Sequence, residues 1–349
     1  MFFYLFIFST LFLMCEKDKE IELNPVYGPA QERQFGEESA LVQELSFNSD
    51  GFYIVGDFIT PVDEGTHPVI IMIHGSGSAT RYGAVPFNPL IEIFLRNGFA
   101  VLCWDKPGSG ESTGEFEIGY TITGRAKILV DATRVMLENP SIDNSSIGLW
   151  GISQAGWVMP KALDMTSDIA FMIVVSGGAE DGIEQFSYQV GQVAACAGET
   201  AENVEKVDMY WSQMQKATTY SEYKEAADFL VTIQSIVDYT GVSVSEENSW
   251  NAWPRNIDAF FNPMDVIEHT TIPVLVFFGE LDKNIDPVQG AHAYQSALEA
   301  SGNQDYRIEV IEGAGHVLAP AQTVCLDEFV GSEYVPEYLE ILEEWLSDR

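Results

Sequence analysis

From about residue 41 onward, short runs of β-branched and aromatic residues alternate with stretches whose apolar positions repeat every three to four residues. The runs are residues 41–47, 52–60, 69–73, 100–104, 146–150, 171–175, 274–278 and 306–311, which makes eight candidate strands. Strands that alternate with amphipathic helices build βαβ units, so a mostly parallel sheet with helices on both faces is expected. Asn48-Ser49-Asp50-Gly51 supplies turn residues between the first two runs, and the sheet is expected to begin with an antiparallel hairpin. Between about Asp181 and Asn262 the strand signal lapses, and helical spacing takes over at 183–196, 201–216 and 221–238. Such an insertion between sheet elements predicts a helical cap. Its Met209, Tyr210, Trp211, Met214, Tyr220, Tyr223, Trp250, Trp253, Phe260 and Phe261 suit either the lining of an apolar pocket or the cap's own core. Residues 335–346 have helical spacing and close the domain.

The N-terminus departs from this pattern. Residues 2–14 are apolar except for Ser9 and Thr10, and the chain turns polar at Cys15-Glu16-Lys17. Thirteen helical residues rise only about 20 Å, short of the roughly 30 Å hydrocarbon core, so a signal-peptide core is expected here. Cys15 at its end resembles a bacterial lipoprotein acylation site. The expected organisation is a signal at 1–15, a polar tether at 16–40, a first core part at 41–180, the cap at 181–262 and a second core part at 263–349. An exported protein is implied, periplasmic or at the cell surface, with a lipid on Cys15 as its membrane attachment.

Charge narrows the class of partner. The chain carries 53 Asp and Glu against 17 Lys and Arg, a net charge of −36. A nucleic-acid partner is disfavoured, because neutralising phosphates needs clustered cations. A basic interfacial membrane binder is disfavoured for the same reason. A 46% hydrophobic composition excludes a disordered acidic chain. The four Cys form no Cys-x-x-Cys pair and no Cys/His cluster, so no metal or other cofactor is expected.

Three short segments carry candidate chemistry. The first is Leu149-Trp150-Gly151-Ile152-Ser153-Gln154-Ala155-Gly156-Trp157, a strand running straight into a helix with Ser153 at the junction. A nucleophile on so sharp a turn leaves little space two residues before and after it, and Gly151 and Ala155 fit that constraint. The second is Phe277-Phe278-Gly279-Glu280-Leu281-Asp282, an acid on the turn leaving a late strand. The third is Gly313-Ala314-Gly315-His316, a His in a Gly-rich loop after the last strand. Loops at the C-terminal ends of strands are where ligands bind open α/β sheets. The order Ser, Asp, His completes a nucleophile, an orienting acid and a base. Asp286 is the alternate acid on the same loop.

With these motifs the chain resembles the α/β-hydrolase superfamily, in particular bacterial serine esterases and acyl hydrolases with a helical cap. Ile71-Met72-Ile73-His74-Gly75-Ser76-Gly77-Ser78 sits where that family builds its oxyanion hole. Cys103-Trp104-Asp105-Lys106-Pro107-Gly108-Ser109-Gly110-Glu111-Ser112 resembles the family's Asp-x-Pro-Gly-x-Gly-x-Ser turn. Gln154-Ala155-Gly156-Trp157 resembles a Ser-Gln-Gly-Gly-Trp elbow, with Ala in place of the first Gly. The resemblance implies Ser153 as nucleophile, His316 as base and Asp282 as orienting acid. It also implies an oxyanion hole from the backbone N–H of Ser76 and Gln154, with Gly77 as a substitute. Asp105 is expected to fix a turn and His74 to order the oxyanion loop. His67, His269 and His292 are expected to be structural, and Cys103 inert. A Cys196 to Cys325 disulfide suits an exported protein, but spacing alone does not establish it.

The leading expectation is hydrolysis of a small carboxylic ester. Residues 181–270 hold 15 acids and 4 bases, which disfavours an anionic substrate. An exopeptidase, whose cap acids hold a substrate ammonium, is the alternative enzyme. A catalytically silent binding protein is the alternative from another class. Mass spectrometry of the mature N-terminus checks the export expectation: a chain beginning at a lipid-modified Cys15 is expected, and an unmodified Met1 refutes it.

Overall fold

The computed structural model describes residues 22–83, 86–115, 122–252, 257–325 and 333–349. The expected signal, Cys15, the first part of the tether and Trp253 lie outside the described residues. All eight β-branched runs form strands. The full order is β1 (Val26–Tyr27), β2 (Gln31–Phe35), β3 (Glu38–Ser49), β4 (Phe52–Pro61), β5 (His67–Ile73), β6 (Ala100–Trp104), β7 (Ile142–Ile152), β8 (Phe171–Val175), β9 (Val274–Gly279) and β10 (Tyr306–Ile311). Among the described residues these make one ten-stranded sheet in the order β1-β3-β4-β6-β5-β7-β8-β9-β10, with β2 on β3. Strands β5 to β10 pair in parallel with one another. The β3–β4 hairpin closes Ser49 against Phe52 through Asp50 and Gly51, both at positive φ (46° and 85°), as a two-residue turn requires.

The sheet therefore has ten strands and not eight, and the stretch expected as a polar tether supplies the other two. Residues 31–34 are Gln-Glu-Arg-Gln and all are exposed, so β2 carries almost no apolar signal. It is an edge strand, where polar and charged residues face water and protect the free edge. Only Phe35 of β2 is buried, and the Arg33 guanidinium lies 4.9 Å from its ring centroid. His67, expected to be structural, is the buried first residue of β5.

Two cores sit on the two faces of the sheet, because successive side chains of a buried strand point opposite ways. On β7, Leu149 enters one core and Trp150 the other. Helices α1 (Phe87–Arg96) and α11 (Pro336–Leu346) cover the Trp150 face. Here the Trp150 indole N–H donates to the Tyr338 hydroxyl at 3.1 Å. Helices α2 (Ile122–Leu137), α3 (Ala155–Leu163) and α10 (Pro287–Ala300), with the short α9 (Met264–Ile267), cover the other face.

Between β8 and β9 the chain makes α4 (Gly182–Cys196), α5 (Ala201–Lys216), α6 (Tyr220–Leu230), α7 (Gln234–Thr240) and α8 (Glu247–Asn251), then a 3-10 turn at Ile257–Phe260. The helical stretch expected over 221–238 is broken in two. The β-branched run Val231-Thr232-Ile233 disfavours helix, and the Thr232 hydroxyl bonds back to the Phe229 carbonyl at 2.6 Å. Trp211, Met214 and Tyr223 are buried in the insertion's own core, with Tyr210, Tyr220 and Trp250 packed on it. Phe261 packs instead against the main core, with the Lys161 ammonium 5.1 Å from its ring. Met209 and Phe260 are exposed.

Cys196, at the end of α4, is bonded to Cys325, across a sequence separation of 129. Closing so long a loop removes much of the unfolded chain's entropy. Urea unfolding with and without reductant is expected to show a loss of about 2–4 kcal/mol on reduction. Superimposable curves refute that contribution.

Candidate active site

Strand β5 pairs with β6 on one side and with β7 on the other, so the chain reverses its direction of winding between β5 and β7. Such a switch point opens a crevice at the C-terminal ends of the two strands. The loop 74–79 leaves β5 there, and Ser153 leaves β7. Ser153 has φ +57°, a left-handed conformation that an L residue adopts only under constraint. The constraint is visible in its neighbours. A methyl built on Gly151 falls 2.6 Å from the Ala155 Cβ, and one on Gly156 falls 2.5 Å from the Gly177 Cα. The fully buried Ala155 methyl is thus accommodated because Gly151 faces it. Gly156 lets α3 lie directly on the Gly177-Gly178 backbone.

The expected acid and base meet. His316 Nδ1 and Asp282 Oδ2 are 2.8 Å apart, and the Asp282 side chain is fully buried. Its other oxygen accepts the N–H groups of Asn284 at 2.7 Å and Ile285 at 3.1 Å. Backbone bonds hold the two loops together: Leu281 N–H donates to the Ala314 carbonyl at 2.8 Å, and Glu280 N–H to the Ile311 carbonyl at 3.0 Å. Glycine is needed at residue 279, where a methyl would fall 2.1 Å from the Gly315 oxygen. The alternate acid, Asp286, is occupied as the N-cap of α10, accepting from Val288 and Gln289 N–H at 2.9 and 3.0 Å.

The 74–79 loop reaches Ser153 at Gly75, whose missing methyl would sit 3.0 Å from Ser153 Cβ and 3.5 Å from its Oγ. Ser76 lies exposed on this loop, and Gln154 is the residue from which α3 starts. His74 is buried and stacked on Phe87, with ring centroids 4.8 Å apart. Burial first, then the nearby Lys106 and Arg125, push its pKa down to about 3, so it is neutral and orders the loop by packing.

Asp105 does fix a turn, but a larger assembly surrounds it. It accepts from Glu111 N–H at 2.8 Å and from Arg81, whose guanidinium also reaches Asp57 at 2.7 Å and Glu111 at 2.5 Å. Burial alone would raise the Asp105 pKa; the bonds from Arg81 and Glu111 N–H hold it below the usual carboxylate range. Cys103 is buried, and burial raises its thiol pKa. His292 lies on α10, and His269 is largely exposed after α9.

Two buried cations escaped the sequence reading of the site. Lys106 Nζ donates to the Gly75 and Gly77 carbonyls at 2.8 and 2.5 Å. Arg125, on α2, donates to the His74 and Gly75 carbonyls at 2.5 and 3.2 Å and to Gln154 Oε1 at 2.6 Å. Burial, and then Arg125, lower the Lys106 pKa, while the two carbonyl oxygens it donates to favour its charged form. The signal was weak: Lys106 stands in the glycine-rich turn after β6, and Arg125 is one of three cations on α2, with Lys127 and Arg134.

The insertion meets the site through α4. Tyr188 hydroxyl donates to the Asp282 carbonyl at 3.1 Å, and Gln189 Nε2 to Asn284 Oδ1 at 2.9 Å. Asp181 caps α4 by accepting from Ile183 and Glu184 N–H, both at 3.0 Å.

Residues 50–316 match the X-Pro dipeptidyl-peptidase (S15 family). The chain belongs to the S15 family. Within it the protein is a serine hydrolase. Its architecture is the α/β-hydrolase fold with a helical insertion. Two solved structures share this fold: the esterase Pf2001 of Pyrococcus furiosus, with TM-score 0.55, 15% identity and coverage of 88% of this chain and 90% of that one; and an acetyl xylan esterase from Paenibacillus sp. R4, with TM-score 0.55, 16% identity and coverage of 94% and 89%. The thiohydrolase AneE of Aspergillus aculeatus is 32% identical over 93 residues, 27% of this chain and 28% of that protein. The match thus spans under a third of that relative's length.

Beside the elbow of this S15 protein, Glu180 has its pKa pushed up to about 7 by burial first and then by Glu184, Asp181, Asp208 and Asp286. A raised carboxyl pKa destabilises the fold as pH rises from the unfolded value of about 4.5 through about 7. Glu180→Gln is therefore expected to raise Tm at pH 8 and to lose most of that gain by pH 5. A gain that is equal at both pH values refutes the shift.

Proposed function

We propose that this S15-family chain hydrolyses small carboxylic esters through an acyl-enzyme on Ser153. The observation that carries the reading is the buried Asp282 to His316 hydrogen bond at 2.8 Å, on loops at the same C-terminal edge of the parallel sheet as a left-handed Ser153. In the proposed reaction Ser153 Oγ attacks the acyl carbonyl while His316 takes its proton, and Asp282 holds the imidazole in the productive tautomer. The ester C–O bond then breaks, and the proton passes from His316 to the leaving alkoxide. Water, activated by the same imidazole, releases the acid. The backbone N–H of Ser76 and of Gln154 stabilise the oxyanion, each worth on the order of 3 kcal/mol in the transition state. No cofactor is invoked.

The low cation content of the insertion, 4 bases against 15 acids over residues 181–270, supports an uncharged acyl group of modest size. The esterase structures sharing the fold agree with an ester substrate. A second reading, an exopeptidase, is favoured by the S15 match; Asp181 and Glu184 are paired with Lys216, which leaves Glu180, whose carbonyl accepts from Trp157 of α3, as the carboxylate for a substrate ammonium. The Cys196–Cys325 bond, together with the apolar 2–14 run, supports maturation in an oxidising compartment outside the cytoplasm, with Cys15 as lipid attachment.

Labelling by a fluorophosphonate probe, lost in Ser153→Ala, is the expected result, with p-nitrophenyl acyl esters cleaved faster than aminoacyl anilides. Faster cleavage of the anilides selects the exopeptidase. A wild-type chain that neither labels nor cleaves any small ester is a silent binding protein, and full activity in Ser153→Ala overturns the nucleophile assignment.

A further inference from the structure

Two buried cations behind the 74–79 loop take no part in proton transfer. Arg125 stands in the first turn of α2, where the helix dipole disfavours a positive charge, and it is 7% exposed. Its position is explained by what it touches. One arm reaches the His74 carbonyl at 2.5 Å; the other reaches the Gly75 carbonyl at 3.2 Å and Gln154 Oε1 at 2.6 Å. Lys106, from the turn after β6 and 6% exposed, reaches the Gly75 carbonyl at 2.8 Å and the Gly77 carbonyl at 2.5 Å. The two cations come from different elements and share one oxygen, that of Gly75.

A trans peptide is planar, with its C=O and N–H on opposite sides. Holding the Gly75 oxygen against Lys106 and Arg125 therefore turns the Ser76 N–H away from them. A loop of Gly75, Ser76, Gly77 and Ser78, with Gly77 at φ +76°, has several peptide orientations within reach of its backbone. The cations select one. Arg125 also grips Gln154, the residue whose N–H is the other oxyanion donor, so a single guanidinium fixes the loop and the elbow relative to each other.

The geometry points to Lys106 and Arg125 as a pair of positioning residues. They hold the His74, Gly75 and Gly77 carbonyls so that the loop's N–H groups are aligned with the Ser153 elbow before substrate arrives. The inference rests on the ester-hydrolase reading with Ser153 as nucleophile. Preorganised donors act on the transition state more than on the ground state. Loss of either cation is therefore read in kcat and not in KM.

Lys106→Met and Arg125→Met, assayed on a p-nitrophenyl ester, are expected to lower kcat between about tenfold and several hundredfold while KM changes by no more than about threefold. Across wild type and variants, affinity for a trifluoromethyl ketone, which forms a tetrahedral oxyanion on the serine, is expected to fall in proportion to kcat/KM. Arg125→Lys, which keeps a donor, is expected to recover part of the loss. If a Met variant does not fold, Lys106→Gln and Arg125→Lys take its place, with smaller losses expected but the same proportionality to ketone affinity. Folded variants that keep kcat within about twofold, or that lose kcat with unchanged ketone affinity, overturn the pair. Absence of Ser153-dependent hydrolysis in the wild type overturns the nucleophile reading instead.

Discussion

The left-handed backbone of Ser153 is the constraint around which the rest of the site is arranged. A residue in that conformation costs about 1–3 kcal/mol, which surrounding packing has to supply. It is supplied from both faces of the sheet. Leu149 and Trp150 anchor β7 in two separate cores, and α3 begins directly after the turn and lies on the Gly177-Gly178 backbone. The small residues of the elbow are not spare space. Gly151 faces the Ala155 methyl, Gly156 faces the β8 exit, and Gly75 brings the neighbouring loop up to the serine itself.

Around that turn the protein divides its stabilising contacts by chemistry. The acid loop and the histidine loop are joined to each other through backbone bonds, with Gly279 permitting their close approach. The loop after β5 has no strand partner of its own and is held by cations. Lys106 and Arg125 grip its carbonyls, and Arg81 ties its far end to Asp57, Asp105 and Glu111. With 17 cations against 53 acids in the whole chain, placing three of them here is a concentration of a scarce charge. Surface pairs such as Lys206 with Glu202 are worth little by comparison.

The central strands β5, β6, β8 and β9 were legible because they are buried on both faces and spell continuous apolar runs. The edge strand β2 was not, since the residues 31–34 are polar and its pairing with β3 comes from backbone bonds that leave no mark on composition. The Asp282–His316 contact and the strained turn at Ser153 were legible through chain order and the glycines around them. Arg125 was not, because its partners are carbonyl oxygens, which any sequence possesses. Asp282 and Asp286 looked alike in one dimension and differ in space, one bonded to His316 and the other capping a helix.

The bond between Cys196 and Cys325 bears on the order in which the molecule is completed during synthesis. Helices α4 to α7 form their core from neighbours close in sequence, so the insertion has most of its contacts while the later chain is still unmade. Strand β10 and the His316 loop come afterwards, and Cys325 follows them by nine residues. The covalent tie therefore closes only once His316 has been made and the sheet has its last edge. A chain cut short before residue 316 keeps Ser153 and Asp282 and lacks both His316 and the clasp.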